Sequence, residues 1–313
     1  MLERFIKPSL SDSSPAYSIF WLIMLVFIFG SLFTLSGLLI SQLIFPIDIA
    51  EGLEDLGNPE VIQMLRFNQL LSAIGIFVAP SIYFAYMKGN SPKRWYGMKA
   101  APVKWLVFSC LVILFFVPIV SVLHEWNQMF RLPEALQSFE SYLREMEDRA
   151  EELTKAFLVT DSVGSLLYTL LIIAILPALG EELLFRGALQ SELERWFRSG
   201  HLAVWVAAAI FSFIHFQFYG FLPRLVLGAV LGYLYLYSNK LWLPIAGHFT
   251  NNAFGVLWFH LEELGKVPSE KESGIADSWP GLLIAFLLMI GALMLLRAIK
   301  RENEKSRYMT YGG

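Results

Sequence analysis

Cys110 is the only cysteine in this chain of 313 residues, and charge is nearly as scarce, with 16% of positions Asp, Glu, Lys or Arg. A single thiol excludes an intramolecular disulfide and a thiolate zinc centre. So little charge also sets the chain apart from soluble domains, where about 25% is usual. Basic runs with interleaved aromatics are missing and the formal net charge is −3, so nothing points to nucleic acid. There is no H-E-x-x-H helix, because His124-Glu125 is followed by Gln at position 128. There is no G-x-S-x-G turn. None of the six aspartates falls within an apolar block, so a pair of membrane aspartates sharing a proton is excluded. The first apolar block is too long for a secretory h-region and lacks a small-residue cleavage site, which reads as no signal peptide.

What the chain does have is apolar residues, 56% of the total, gathered into blocks about as long as the 20 residues that cross a hydrocarbon core. The fold class is all-α, a polytopic membrane bundle of about eight helices. They are expected near 17–45, 66–87, 103–123, 158–179, 202–219, 221–238, 241–261 and 279–298. No internal repeat and no compositional break appears, so residues 1–313 form one integral-membrane domain. The lipid bilayer is its first partner, and nothing in the sequence speaks to oligomeric state.

Charge asymmetry gives an orientation. With the N-terminus in the cytoplasm, sixteen of the 24 lysines and arginines lie on that side. They include Arg4, Lys7, Lys88, Lys93, Arg94, Lys99, Lys104, Lys240 and the Arg297–Arg307 cluster. The first outer loop holds Asp48, Glu51, Glu54, Asp55 and Glu60, with no basic residue before position 66. Both termini are therefore placed in the cytoplasm of a plasma or inner membrane. That puts Glu181–Arg186 at the cytoplasmic end of the fourth helix.

Between the third and fourth blocks, Leu132, Leu136, Phe139, Leu143, Met146, Ala150, Leu153 and Phe157 recur at steps of four and three. Charged residues fill the positions between them. This predicts an extracytoplasmic amphipathic helix over 132–157, lying on the membrane or capping the bundle. Its 3.5-residue period also permits a coiled-coil contact between two copies.

Ionisable groups at membrane depth cost several kcal/mol each on most estimates, which marks them as functional candidates. Glu182 and Arg186 are four apart and share a helix face, predicting a salt bridge. Glu181 lies about 100° round the helix, without that compensation and free to face the interior. Pro177 and Gly180 can open the backbone there to water or simply make a packing kink. Phe211 lies one turn before His215, and Asn252 one turn after His248. Gly247 leaves space beside His248 for another backbone or a substrate. Asn251 is a second choice to Asn252, and His124, His201 and His260 carry no functional expectation. Gly228 and Gly232, four apart, read as a helix-packing surface. Carboxylate, imidazole and amide groups on neighbouring helices together make the parts of a water-activating site.

These residues resemble a known family. Glu181-Glu182-x-x-x-Arg186, Phe211-x-x-x-His215 and His248-x-x-x-Asn252 are similar to the three signatures of the CPBP (Abi) family, with its type II CAAX prenyl endoproteases and bacteriocin-processing or immunity proteins. The resemblance covers roughly 160–260. It implies an intramembrane endopeptidase with Glu181 and His215 activating water, His248 and Asn252 stabilising the oxyanion, and Arg186 holding the glutamate segment. Glu182, Arg186 and Phe211 are supporting residues, and a peptide or protein is the implied substrate. A zinc ion held by Glu181, His215 and His248 remains open beside a metal-free base. Two other readings stay open as well: a non-catalytic scaffold or immunity protein that binds a peptide, and a proton carrier.

Overall fold

The structure is a computed structural model describing residues 9–45, 47, 55–89, 91–98, 100–268 and 279–311. Arg4, Lys7, Asp48, Glu51, Glu54 and Lys99, counted above, lie outside the described residues, as do the side chains of Arg94, Lys305 and Arg307. It is a helical membrane bundle. Among the described residues, six helices are long and apolar enough to cross a bilayer: α1 (Pro15–Ile44), α2 (Pro59–Lys88), α3 (Val103–Gln128), α5 (Val163–Phe197), α7 (Phe221–Ser238) and α9 (Trp279–Tyr311). Two more complete the bundle, α6 (Gly200–Phe213) and α8 (Trp242–Glu263). α6 has only 14 residues, and α8 is made polar by His248, Thr250, Asn251 and Asn252. The amphipathic α4 (Gln137–Leu158) joins α3 to α5.

Among the described residues, apolar burial forms two large cores and a small third cluster of Val204, Ala208 and Ala229. Leu22, Phe84, Leu183 and Ala203 belong to one, built from α1, α2, α5 and α6. Val112, Leu231, Leu243 and Ala292 belong to the other, built from α3, α7, α8 and α9. The buried Glu181, Glu182, Arg186 and Gln190 of α5 and His248 of α8 lie among α5, α6, α7 and α8. At one end, Lys88 pairs with Glu192 at 2.9 Å and donates to Ser18 Oγ at 3.0 Å, tying α1, α2 and α5 together.

Three expected boundaries are corrected. The fourth helix does not stop at 179 but continues to Phe197, through π-helical turns at Leu170–Ile175 and Glu182–Gln190. Glu181–Arg186 accordingly lies midway along this helix and not at its end. The fifth helix ends at Phe213, and His215 sits in the turn beyond it. The amphipathic helix starts at Gln137, after a short 3-10 turn at Glu134–Leu136.

α4 caps the bundle. Phe157 is buried at its C-terminus, where the buried Arg66 of α2 donates to the Phe157 and Val159 carbonyls. Glu140 and Glu147 are buried as well, although the periodicity put them on the charged side. Glu147 Oε2 accepts the Tyr219 amide at 2.8 Å, and the Arg144 guanidinium lies 3.8 Å from the Tyr219 ring centre. These contacts fasten the helix to the turn that carries His215.

Candidate active site

The cluster begins with Arg186, which is 1% exposed despite its charge. Its Nη1 donates to Glu182 Oε1 at 2.7 Å, and Nη2 donates to the Gly228 carbonyl at 3.0 Å. One turn on, Gln190 Nε2 donates to the Gly232 carbonyl at 3.1 Å. The two glycines thus bring α7 close enough to α5 for its backbone oxygens to receive buried side chains. A Cβ on Gly228 would stand 3.3 Å from Ala208 and Phe211, and one on Gly232 would stand 2.9 Å from Gln190 Oε1. The packing role expected of this pair holds, with a polar ladder added to it.

His248 joins the pair from α8. Its Nδ1 lies 2.8 Å from Glu182 Oε1, the oxygen that Arg186 also contacts. A carboxylate ionised by an adjacent guanidinium only accepts, so Nδ1 carries the hydrogen. In the neutral ring Nε2 is then bare, and it faces Glu181 Oε2 at 3.9 Å. That distance is too long for a direct hydrogen bond. Both glutamates therefore address one imidazole. Glu182 is fully buried and Glu181 is 9% exposed.

Phe211 is the apolar hub. Its ring lies 5.1 Å from Phe185, 4.9 Å from the His215 ring and 6.3 Å from the His248 ring, and the Arg186 guanidinium stands 4.8 Å from it. His215 Nδ1 lies 2.7 Å from the Phe211 carbonyl. A carbonyl cannot donate, so His215 also presents a bare Nε2 when neutral. The next residue, Phe216, has φ +53°, a left-handed conformation that a bulky side chain adopts at a cost. Asn252 is turned elsewhere: its Nδ2 donates to the Ile173 carbonyl at 3.0 Å, and Asn251 donates to its Oδ1 at 3.0 Å.

Glu181, Glu182, Arg186, Phe211 and His248 are thus in mutual contact or close approach, His215 is coupled to them through Phe211, and Asn252 is tethered to α5. Gly247 offers no room for a substrate. A Cβ there would lie 2.9 Å from Ile113 and 3.0 Å from Ser109 Oγ, so the glycine seats α8 against α3. Gly180 likewise admits Phe77 of α2, whose Cβ would be 2.8 Å from an added Cβ, which favours packing over water entry.

Among the described residues, no group of three or more His, Cys, Asp or Glu side chains could hold a metal ion. His248 is drawn between two glutamates, and His215 is held on a backbone carbonyl.

Sequence reading missed Arg224, at the start of α7. The guanidinium is held by the Gln217 carbonyl and side-chain oxygen. The signal that could have found it was an arginine opening an apolar block with no acid one turn away on the same helix.

Residues 163–254 match the family model of type II CAAX prenyl endopeptidase Rce1-like proteins. This segment is similar to the Rce1-like family. It runs from the start of α5 into α8 and contains every residue of the cluster just described. The chain is also 30% identical over 88 residues to an uncharacterized protein, YpbD, of Bacillus subtilis (strain 168). That alignment covers 27% of this chain and 42% of the relative's length, so the chain spans less than half of the protein it matches. No solved structure matches. The matched segment covers α5–α7 and the first part of α8, while α1–α4 and α9 lie outside the match.

Proposed function

We propose that the chain is a membrane-embedded endopeptidase in which Glu181 removes a proton from a water held between its carboxylate and His248. The water oxygen attacks the scissile carbonyl carbon and its proton passes to Glu181. Collapse of the tetrahedral intermediate breaks the C–N bond, and the proton is returned to the leaving amine. His248, oriented by Glu182, accepts or relays that proton at Nε2. His215 offers a second bare Nε2 across Phe211.

The observation that carries this reading is the meeting of two buried carboxylates at one imidazole. Arg186 answers only one of them, which leaves Glu181 as the base. General-base assistance of this kind contributes about 10²–10⁴-fold. The Rce1-like match favours a peptide or protein substrate, and whether that substrate is prenylated is a separate question for assay. His215 lies at the end of the bundle capped by α4, which favours access from that end. The charge distribution assigns that end to the extracytoplasmic side, opposite to the site placement expected from the sequence.

The test is cleavage of a peptide panel by purified protein in nanodiscs. Wild-type protein is expected to cleave, whereas Glu181→Gln and His248→Ala retain the fold and lose activity. Retained cleavage in Glu181→Gln would remove the mechanism. If Glu181 variants keep a biological effect that proteolysis does not explain, the peptide-binding scaffold reading takes over.

A further inference from the structure

α6 ends at Phe213 and α7 begins at Phe221, and the turn between them carries His215. Within it, the left-handed Phe216 holds a conformation that persists only where surrounding contacts over-determine it. Two side chains supply such contacts. Ser212 Oγ donates to the Phe221 carbonyl at 2.7 Å, closing the end of α6 onto the start of α7. Asn127, near the end of α3 and 3% exposed, reaches the turn from outside. Its Nδ2 donates to the Phe218 carbonyl at 3.0 Å, and its Oδ1 accepts the Leu222 amide at 2.8 Å.

That amide oxygen serves as a helix cap. The first amides of a helix have no partner within it. In α7 the Phe221 amide bonds to the Phe218 carbonyl, Pro223 has no N–H, and Leu222 is left needing an acceptor. The residue in position to cap it is Gly220, which has no side chain to offer. Asn127 provides the oxygen from another helix. An amide suits this pair of partners because it donates and accepts at once, whereas an ionised carboxylate only accepts and leucine does neither. The turn so tethered brings the His215 ring to 4.9 Å from Phe211 at the hub of the cluster. α3 lies outside residues 163–254, so the matched segment does not contain its own tether.

We infer that Asn127 is a positioning residue for His215, fixing from α3 the turn that sets where the imidazole stands relative to Glu181 and His248. The inference rests on the endopeptidase reading above, with His215 taking part in the proton transfers. A misplacement of about 1 Å at a reacting group can cost about 10²-fold.

The experiment compares wild type, Asn127→Leu and Asn127→Asp in nanodiscs, well below their thermal midpoints. It measures kcat and KM separately and records ¹⁵N spectra of the histidine rings, with His215→Ala assigning the His215 signals. Asn127→Leu is expected to lower kcat by about 10- to 10²-fold with KM little changed. It should also move the His215 ring-nitrogen resonances and leave those of His248 in place. Asn127→Asp keeps an acceptor for the Leu222 amide, so it should fall between, and it serves if Asn127→Leu does not fold. Ser212→Ala releases the other tie across the turn and serves if neither folds. A variant that is less stable but unchanged in kcat overturns the inference and leaves Asn127 a structural tie. Lowered kcat with unmoved His215 resonances overturns it too, as does wild-type kcat in His215→Ala. A rise in KM alone also overturns it and assigns Asn127 to substrate access. In each of these cases Glu181-dependent cleavage by wild type leaves the function standing. Absence of that cleavage removes the proposed function and this inference together.

Discussion

His248 donates from Nδ1 to Glu182 at 2.8 Å, and that one bond decides which ring nitrogen faces Glu181. Replacing the carboxylate by an amide permits the opposite tautomer, because an amide can donate as well as accept. Glu182→Gln, which also leaves the buried Arg186 without its counter-charge, is therefore expected to lose stability as well as kcat, the latter by up to about 10⁴-fold, the scale seen where a histidine's orienting carboxylate becomes an amide. Steady-state kinetics with KM determined separately checks this.

Arg186 and Glu182 are both almost wholly removed from solvent. Deleting the cation leaves a buried carboxylate without its partner, at a cost of about 3–5 kcal/mol. Arg186→Met should lower the thermal midpoint markedly in detergent. The double variant Arg186→Met/Glu182→Gln should recover much of that loss, since no orphaned charge remains. Equal destabilisation in both proteins would show that the pair's charge is not the stabilising feature.

α4 carries two buried carboxylates with opposite responses. At Glu140 the Leu132 amide is the largest influence and holds the carboxyl below its usual range, with Arg144 assisting. At Glu147 burial dominates and pushes the carboxyl up, only partly offset by the Tyr219 amide. A raised folded-state value means that docking is favoured when Glu147 is protonated. Its contribution is full below the ordinary glutamate range and is lost as pH rises through the elevated folded value. Glu147→Gln keeps an oxygen for the Tyr219 amide and removes the desolvation of charge. It should therefore be more stable than wild type above the carboxylate range and converge with it at low pH. Thermal midpoints across a pH series measure this, and a difference independent of pH would refute it.

Gly187 lies in the second π-helical turn of α5, against Tyr96. An added Cβ would stand 2.5 Å from the Tyr96 ring, itself anchored by a hydroxyl bond to the Ser81 carbonyl. The ring cannot yield cheaply, so Gly187→Ala should destabilise by about 1–3 kcal/mol. Differential unfolding in one detergent tests it.

The all-helical membrane fold was legible because apolar blocks of spanning length match the thickness of a hydrocarbon core, where a helix satisfies its own backbone. The Glu182–Arg186 bridge was legible from spacing alone. The true end of α5 was not, because Arg186 and Gln190 are satisfied by the carbonyls of Gly228 and Gly232, some forty residues away. The stop of α6 at Phe213 was hidden too, since the left-handed turn that follows uses Phe216 where glycine or asparagine would have signalled it. Glu140 and Glu147 looked like solvated charges because their partners, Leu132 and Tyr219, are backbone amides with no sequence signature. Partners distant in sequence likewise concealed Asn252's engagement with Ile173 and the position of Arg224.

The most direct test of the account is proteolysis by the full-length protein in nanodiscs, with new peptide termini identified by mass spectrometry in H₂¹⁸O. Wild-type protein should generate new C-termini carrying ¹⁸O, and Glu181→Gln of equal stability should generate none. New termini at equal rates in both proteins, or none in either, would contradict the claim that Glu181 activates water in this cluster.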